Sequence, residues 1–119
     1  MKLKNNKFFI SPSDLNNFVA CKYTTKNEIK FHKGEIRKNN EAVDSKLWKK
    51  MGLKHEAKHF NILSKKYKKN ISIPQDIDEK ERFNLTIKAM KDGYDLIYHA
   101  FLIDENFRGE SDFLIKTKE

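Results

Sequence analysis

The chain has a single cysteine, Cys21, and no long hydrophobic run among its 119 residues. One cysteine excludes an intramolecular disulfide framework and is typical of cytosolic proteins. No apolar run approaches the roughly 20 residues that a membrane helix needs. Residues 1–6 carry charge without an apolar signal-peptide core behind them. We therefore expect a cytoplasmic protein with no membrane partner.

The sequence also lacks internal repeats, and its only biased stretches are lysine runs. A chain of this length forms one domain and can bury a core. The hydrophobic fraction of 38% and the charged fraction of 35% suit a polar globular protein. We predict one domain over residues 1–119, with three parts: a helix and loop (1–40), a long helix (41–70), and a helix followed by a β-hairpin (71–119).

Charge is distributed unevenly along the chain. Residues 1–70 carry a net charge of +12 and residues 71–119 a net charge of −4, which together give +8. A basic half joined to an acidic half suggests a surface that faces nucleic acid beside a site that bears carboxylates. Lysine runs are also common on faces that are merely solvated, so this alternative stays open.

Helix signals appear at three places, near residues 11–21, 41–69 and 76–92. Ser11 as N-cap, Pro12 at the first position and Asp14 as capping-box acid predict a helix to about Cys21, with one buried stripe of Leu15, Phe18 and Val19 and with Cys21 buried at its end. Residues 22–40 show no clear period and are predicted to be irregular. A third helix begins at Asp76 or Asp78 and runs to about Asp92, with Phe83, Ile87 and Met90 as its apolar stripe.

The long helix, residues 41–69, has two distinct faces at 3.6-residue spacing. Gly52 and Glu56 lie inside its apolar stripe, and Gly52 is expected to allow another backbone to approach closely. His55 and His59 have the i, i+4 spacing of a zinc pair, but no cysteine or third histidine lies at ligand spacing, so packing or substrate contact is favoured. The stripe contains Trp48, Met51, His55, His59, Phe60, Leu63 and Tyr67, and the opposite face contains Lys50, Lys54, Lys58, Asn61, Lys65 and Lys68.

A β-hairpin with a loop longer than two residues is predicted over 93–115, after an extended connection at 71–77. Its first strand is apolar on both faces, so we expect burial on both sides, with Tyr98 and Ala100 pointing opposite to Ile97 and Phe101. Asp112 lies next to the apolar run of the second strand. A buried carboxylate there needs compensation, for which a metal ion is one candidate, while a solvated Asp at a strand start is equally open.

The order of these signals resembles the PD-(D/E)XK nuclease superfamily, specifically its RecB-like branch. The matching pieces are Ser11–Leu15 with Cys21, Gly52–Glu56, the helix end Thr86–Gly93, Asp95–Ala100 and Gly109–Leu114. The resemblance implies an α/β (α+β-like) fold in which helices pack on the first hairpin of a restriction-endonuclease-like mixed sheet. It also implies a nuclease that uses Mg²⁺ or Mn²⁺, and it favours DNA over RNA as the nucleic acid.

By this resemblance Glu56 and Asp112 are the catalytic acids and metal ligands, and Lys116, on the strand face of Asp112, is the candidate catalytic lysine. The candidate nucleic-acid contacts are Lys50, Lys54, Lys58, His55 and His99. Gly52 and Gly109 belong to the matching pieces as glycines with a role in backbone conformation. His99 stands where this branch is expected to have Gln. Some relatives hold an iron–sulfur cluster through a cysteine near Cys21, but no cluster is expected here because the chain has no other cysteine.

One expected motif is missing. The family's acid-x-lysine strand does not follow Asp112 within this chain, which predicts an incomplete domain whose C-terminal remainder would be a partner. We therefore expect the chain alone to be weak or inactive as a nuclease. A non-catalytic module of the same fold, which binds nucleic acid or a partner, is the alternative function. A helical partner-binding protein with purely structural acids is the third.

Overall fold

The computed structural model describes residues 1–40 and 43–118. In these residues the chain is of mixed α/β class, with four helices, a two-stranded sheet and a three-stranded sheet. Contacts divide it into two compact units: Met1–Asn40 with Ile103–Gly109, and Glu41–Leu102 with Glu110–Glu119. None of the described helices has both the length and the apolar character that crossing a membrane requires.

The first unit begins with a hairpin that the sequence analysis did not predict. Strands β1 (Lys2–Lys4) and β2 (Lys7–Phe9) pair antiparallel, with Leu3 opposite Phe8. Asn5 and Asn6 form the turn with φ angles of 51° and 59°. Tight hairpin turns require positive φ, and asparagine adopts it more readily than most residues. The Asn-Asn pair was therefore the available signal for this hairpin.

Helix α1 (Pro12–Ala20) confirms the predicted cap but not the predicted burial. The backbone N–H of Ser11 donates to Asp14 Oδ2 at 2.8 Å, and the N-terminal ammonium lies 2.7 Å from the same oxygen. Burial raises the pKa of the Asp14 carboxyl, but the hydrogen bonds from the ammonium and from Ser11 hold it below its ordinary value. The predicted buried stripe is wrong, because Leu15, Phe18 and Val19 are all exposed.

Helix α2 (Lys22–His32) occupies a segment predicted to be irregular. Its half-buried face contains Thr25, Glu28, Ile29 and His32, which have helical spacing but mixed polarity, so hydrophobic periodicity could not reveal it. Cys21 separates α1 from α2 in an extended conformation and is exposed, so its predicted burial is also wrong. Hydrogen bonding with the backbone of Thr24 and Tyr23 lowers the pKa of this thiol.

Gly109 lies in the first unit, close to the start of α1. A Cβ at Gly109 would lie 3.0 Å from Cδ of Pro12, a distance at which one of the two groups would have to shift. The nearby residues Asn106 and Arg108 hydrogen-bond to Ile10, whose carbonyl accepts from Arg108 N–H and whose N–H donates to the Asn106 carbonyl. The absence of a side chain at Gly109 therefore allows close packing against the proline ring.

The second unit is built on helix α3 (Val43–Lys66), strand β3 (Asn70–Ser72), helix α4 (Glu79–Lys91) and most of strands β4 (Leu96–Asp104) and β5 (Phe107–Ile115). The sheet order is β3-β4-β5, and β3 runs parallel to β4 with Ile71 opposite Ile97. The segment predicted as an extended connection thus contains a strand. The hairpin loop is also shorter than predicted, because only Glu105 and Asn106 separate β4 from β5.

The core of the second unit lies between α4 and the sheet. Ile73, Ala89, Ile97 and Ala100 form the buried cluster, and Leu96 is also fully buried, which confirms that β4 is covered on both faces. Asp78 is the N-cap of α4 and accepts from Lys80 N–H at 3.0 Å. The buried residues of α4 are Arg82, Thr86 and Ala89. Met90, predicted in the apolar stripe, is exposed, while Phe83 and Ile87 are half-buried.

Helix α3 packs mainly along its C-terminal half. Its half-buried side chains there include Glu56, Phe60 and Leu63, at i, i+4 and i+7, and Tyr67, just beyond the helix, is also half-buried. The predicted stripe is therefore wrong for its other members, since Trp48, Met51, His55 and His59 are exposed. The expected close approach of a backbone at Gly52 is also wrong, because no described atom outside the helix lies within 4 Å of the position of a Cβ there.

Candidate functional site

The site is centred on a backbone irregularity in β4. His99 has a φ of 57°, a left-handed conformation that is uncommon outside glycine, although histidine adopts it more often than most residues. In a regular strand, neighbouring side chains point to opposite faces. Here the rings of Tyr98 and His99 stack, with centroids 3.7 Å apart. The predicted strict alternation along β4 is therefore wrong at this point.

Tyr98 lies within an aromatic stack that draws on three elements. Its ring stacks on Phe60 of α3 at 4.4 Å and on Phe113 of β5 at 5.4 Å, with interplanar angles of 12° and 13°. Contacts of this kind add about 0.5–1.5 kcal/mol each beyond the area they bury. The stack therefore fixes α3 against the hairpin at the level of Tyr98.

Glu56, the predicted helix acid, projects from α3 toward this stack. Its Oε1 lies 2.5 Å from Nε2 of His99. Both side chains are largely shielded from water, with exposed fractions of 17% for Glu56 and 10% for His99. A shielded carboxylate needs hydrogen-bond partners, and here an imidazole supplies one. The positive φ of His99 thus serves to aim its ring at Glu56.

The phenol of Tyr98 is perturbed by the same carboxylate. Burial, and then hydrogen bonding to Glu56, raise its pKa from 10.0 to about 12, and the charges of Glu56, Asp112 and Glu110 add to the shift. Each of these carboxylates disfavours a second negative charge nearby. Three carboxylates therefore act on one phenol, two of them from β5 and one from α3.

A second ion pair, between α4 and β5, also contacts this segment of β4. Arg82 of α4 is 7% exposed and binds Glu110 of β5 through its Nη2, which also donates to the carbonyl of His99 at 3.3 Å. Glu110 also accepts from Gln75 at 2.8 Å. Sequence reasoning missed both Arg82 and Glu110. The sequence features that could have identified them are the position of Arg82 as a charged residue on the inner face of a helix and the position of Glu110 as an acid two residues before Asp112.

Thr86 completes the support of the irregular strand segment. It is fully buried, and its hydroxyl accepts from the backbone N–H of Phe101 at 3.0 Å and donates to the Arg82 carbonyl at 2.9 Å. Because a buried backbone group must be satisfied, this hydroxyl replaces a bond that the regular ladder would supply. The backbone of Phe101, two residues after His99, is therefore fixed by α4.

Asp112, the predicted strand acid, is exposed on β5. The burial argument for a compensating metal therefore does not apply to it, and the burial of Glu56 is compensated by protein partners. Within residues 1–40 and 43–118, no three His, Cys, Asp or Glu side chains are arranged to hold a metal ion. Two carboxylates with water are nevertheless a donor set that suits Mg²⁺. That Glu56 and Asp112 share one ion stays a prediction.

Lys116, the predicted catalytic lysine, lies just beyond β5. It lines a groove of about 470 Å³ together with Met90, Tyr94, Ile97, Leu114, Ile115 and Thr117. Its Nζ is 3.8 Å from the position that a Cβ would take on Gly93. The structure therefore places this ammonium in the groove beside Gly93, and its catalytic role stays a prediction.

The predicted nucleic-acid contacts fall into two groups. Lys50, Lys54, Lys58 and His55 are exposed on α3, and the three lysines recur at i, i+4 and i+8. His99, by contrast, is buried and its ring is bound to Glu56. Its position suits the orientation of Glu56 rather than contact with a polymer.

Comparison with protein-family models, with curated proteins and with solved structures finds no match for this chain.

Proposed function

We propose that the chain is a metal-dependent nuclease domain of the RecB-like PD-(D/E)XK type that acts on phosphodiester bonds of DNA. The observation that carries the proposal is the arrangement around Tyr98. Glu56 from α3 is oriented by His99, and the charges of Asp112 and Glu110 act on the same phenol. A helix acid and a strand acid at one place are what the resemblance of the sequence implies for the catalytic acids.

Glu56 and Asp112 would hold the divalent ion. Bound there, Mg²⁺ or Mn²⁺ would lower the pKa of a water molecule and neutralise charge on the phosphate. The protein's own contribution is orientation. His99 and Tyr98 fix the carboxylate of Glu56, while Asp112, being exposed, is free to take a ligand. Arg82 neutralises Glu110, which reduces repulsion among the three acids.

The outer face of α3 would bind the DNA backbone. Lys50, Lys54 and Lys58 lie on one exposed face of the helix that also bears Glu56. Lysines position a phosphate backbone without reading its sequence, which suits a nuclease of low sequence preference.

The test is a cleavage assay on single- and double-stranded DNA in Mg²⁺ and in Mn²⁺. Because the proposed catalytic groups are two acids and one lysine, we expect slow turnover that depends on the metal. The Asp112→Ala protein should lose this turnover. The Asp104→Ala protein, which removes an exposed aspartate from the same hairpin, should keep it. Turnover that persists in the Asp112→Ala protein would come from a contaminant and would contradict the assignment.

One observation favours a second candidate, a module of this fold that binds nucleic acid without cutting it. Glu56 and Glu110 already have protein partners, His99 and Arg82, as structural acids do. This module would bind DNA in the presence of a chelator. Log affinity would fall with log salt by about 0.9 per phosphate neutralised on duplex DNA. Binding with that slope, together with no cleavage in either metal, would favour this candidate over the nuclease.

A further inference from the structure

The imidazoles of His55 and His59 form an exposed pair on α3, one helical turn apart. Their Nε2 atoms are 3.1 Å apart, and the ring centroids are 4.5 Å apart at an interplanar angle of 75°. Both residues are exposed, so the favoured sequence interpretation of packing does not apply to them. They also project from a different part of the helix surface than Glu56, which faces His99.

The separation of the two nitrogens matches that of two ligands on one metal ion. Zinc–imidazole bonds are about 2.0–2.1 Å long, so two nitrogens on one ion lie about 2.9 Å apart at a right angle and about 3.4 Å apart at the tetrahedral angle. The observed 3.1 Å falls between these values. A hydrogen bond between two exposed imidazoles adds only about 0.5–1.5 kcal/mol, so it is a weak reason for holding them together.

The surroundings leave room for the rest of a coordination shell. Gly52 lies one turn before His55, and no described atom outside the helix lies within 4 Å of the position of a Cβ there. Helical side chains lean toward the N-terminus, so His55 covers the turn that contains Gly52. Because glycine has no side chain, water can reach an ion held by the pair.

We propose that His55 and His59 form a bidentate site for a late first-row divalent ion such as Ni²⁺, Cu²⁺ or Zn²⁺, with water in the remaining positions. Neutral imidazole suits these ions, whereas Mg²⁺ prefers oxygen ligands. The site is therefore distinct in ion class from the carboxylates of the proposed nuclease centre, and it does not depend on that proposal.

The test is a calorimetric titration of Ni²⁺ into the chain, prepared without a polyhistidine tag and in excess Mg²⁺, which saturates oxygen sites. We expect one Ni²⁺ per chain. The His55→Ala and His59→Ala proteins should each bind at least ~10-fold more weakly, since even outer-shell partners of a metal contribute that much. Both substitutions favour the helix, so loss of folding is not expected.

A matched variant separates geometry from histidine content. The protein with Ala57→His and His59→Ala keeps four histidines but puts the second imidazole two residues from His55, on another side of the helix. It should bind as weakly as His59→Ala. Ni²⁺ should also raise the melting temperature of the unaltered protein and not that of the His55→Ala/His59→Ala protein. Equal Ni²⁺ affinity in the unaltered chain and the matched variant would overturn the proposal, as would no binding by the unaltered chain.

Discussion

At the scale of single residues, the site depends on how Glu56 is held. Its carboxylate lies 2.5 Å from the His99 ring and also accepts a hydrogen bond from Tyr98, and both partners come from one irregular turn of β4. Left-handed backbone outside glycine costs about 1–3 kcal/mol and persists where the surroundings enforce it. Here Arg82 and Thr86 provide that enforcement through the backbone of His99 and Phe101.

The titration of Tyr98 tests this arrangement. Its pKa is raised to about 12 by burial first and by Glu56 second. The Glu56→Gln protein should therefore titrate Tyr98 at lower pH than the unaltered protein, yet still above the ordinary value of 10.0, because burial remains. The measurement is a pH titration of tyrosinate absorbance, with the Tyr98→Phe protein subtracted to isolate this phenol. An unchanged Tyr98 pKa in the Glu56→Gln protein would show that the two groups do not interact.

The same shift has a consequence for stability. A group whose pKa is higher in the folded state binds more protons there, so stability falls as the pH rises from its unfolded to its folded pKa. For Tyr98 this window runs from pH 10.0 to about 12. Over that window the free energy of unfolding should fall more steeply for the unaltered protein than for Tyr98→Phe.

At the scale of elements, the sequence predicted what local chemistry determines. The Ser11–Asp14 cap, the Asp78 cap and the buried first strand of the hairpin were all foreseen, because each is encoded by neighbouring residues. Helix α2 and strand β3 were not, since α2 buries a face of mixed polarity and β3 has only three residues.

The candidate site was predictable only in part, because local sequence does not encode contacts between distant elements. Glu56 and Asp112 came from motif resemblance, whereas Tyr98, Arg82 and Glu110 act through contacts between elements far apart in sequence. The conformation of His99 also depends on tertiary support rather than on its immediate neighbours. Period-2 alternation cannot anticipate such a break in a strand.

Two glycines provide a matched test of the helical elements. Gly52 lies inside α3 with open space around it, so Gly52→Ala should stabilise the protein by up to about 1 kcal/mol. Gly93 ends the α4 region with a φ of 74°, so Gly93→Ala should destabilise it by about 1–2 kcal/mol. Urea unfolding of both proteins measures the difference. A destabilising Gly52→Ala substitution would mean that this surface of α3 is covered in solution.

At the scale of the whole molecule, the proposed function requires basic residues that can contact DNA near acids that can bind a metal ion. The chain carries a net charge of +8, and the basic helix α3 contributes exposed lysines on one face and Glu56 on another. The acids of β5 belong to the same compact unit as α3. An exposed lysine face and the acids Glu56, Glu110 and Asp112 therefore occur together in the second unit.

The most direct test of the central claim is whether Glu56 and Asp112 bind the same ion. Mn²⁺ binding should be measured by the loss of the free-ion electron paramagnetic resonance signal, in a His55→Ala/His59→Ala background that removes the imidazole pair. We predict one Mn²⁺ per chain, and its loss in both the Glu56→Gln and the Asp112→Asn protein. Unchanged Mn²⁺ binding in either of these two proteins would contradict the shared site.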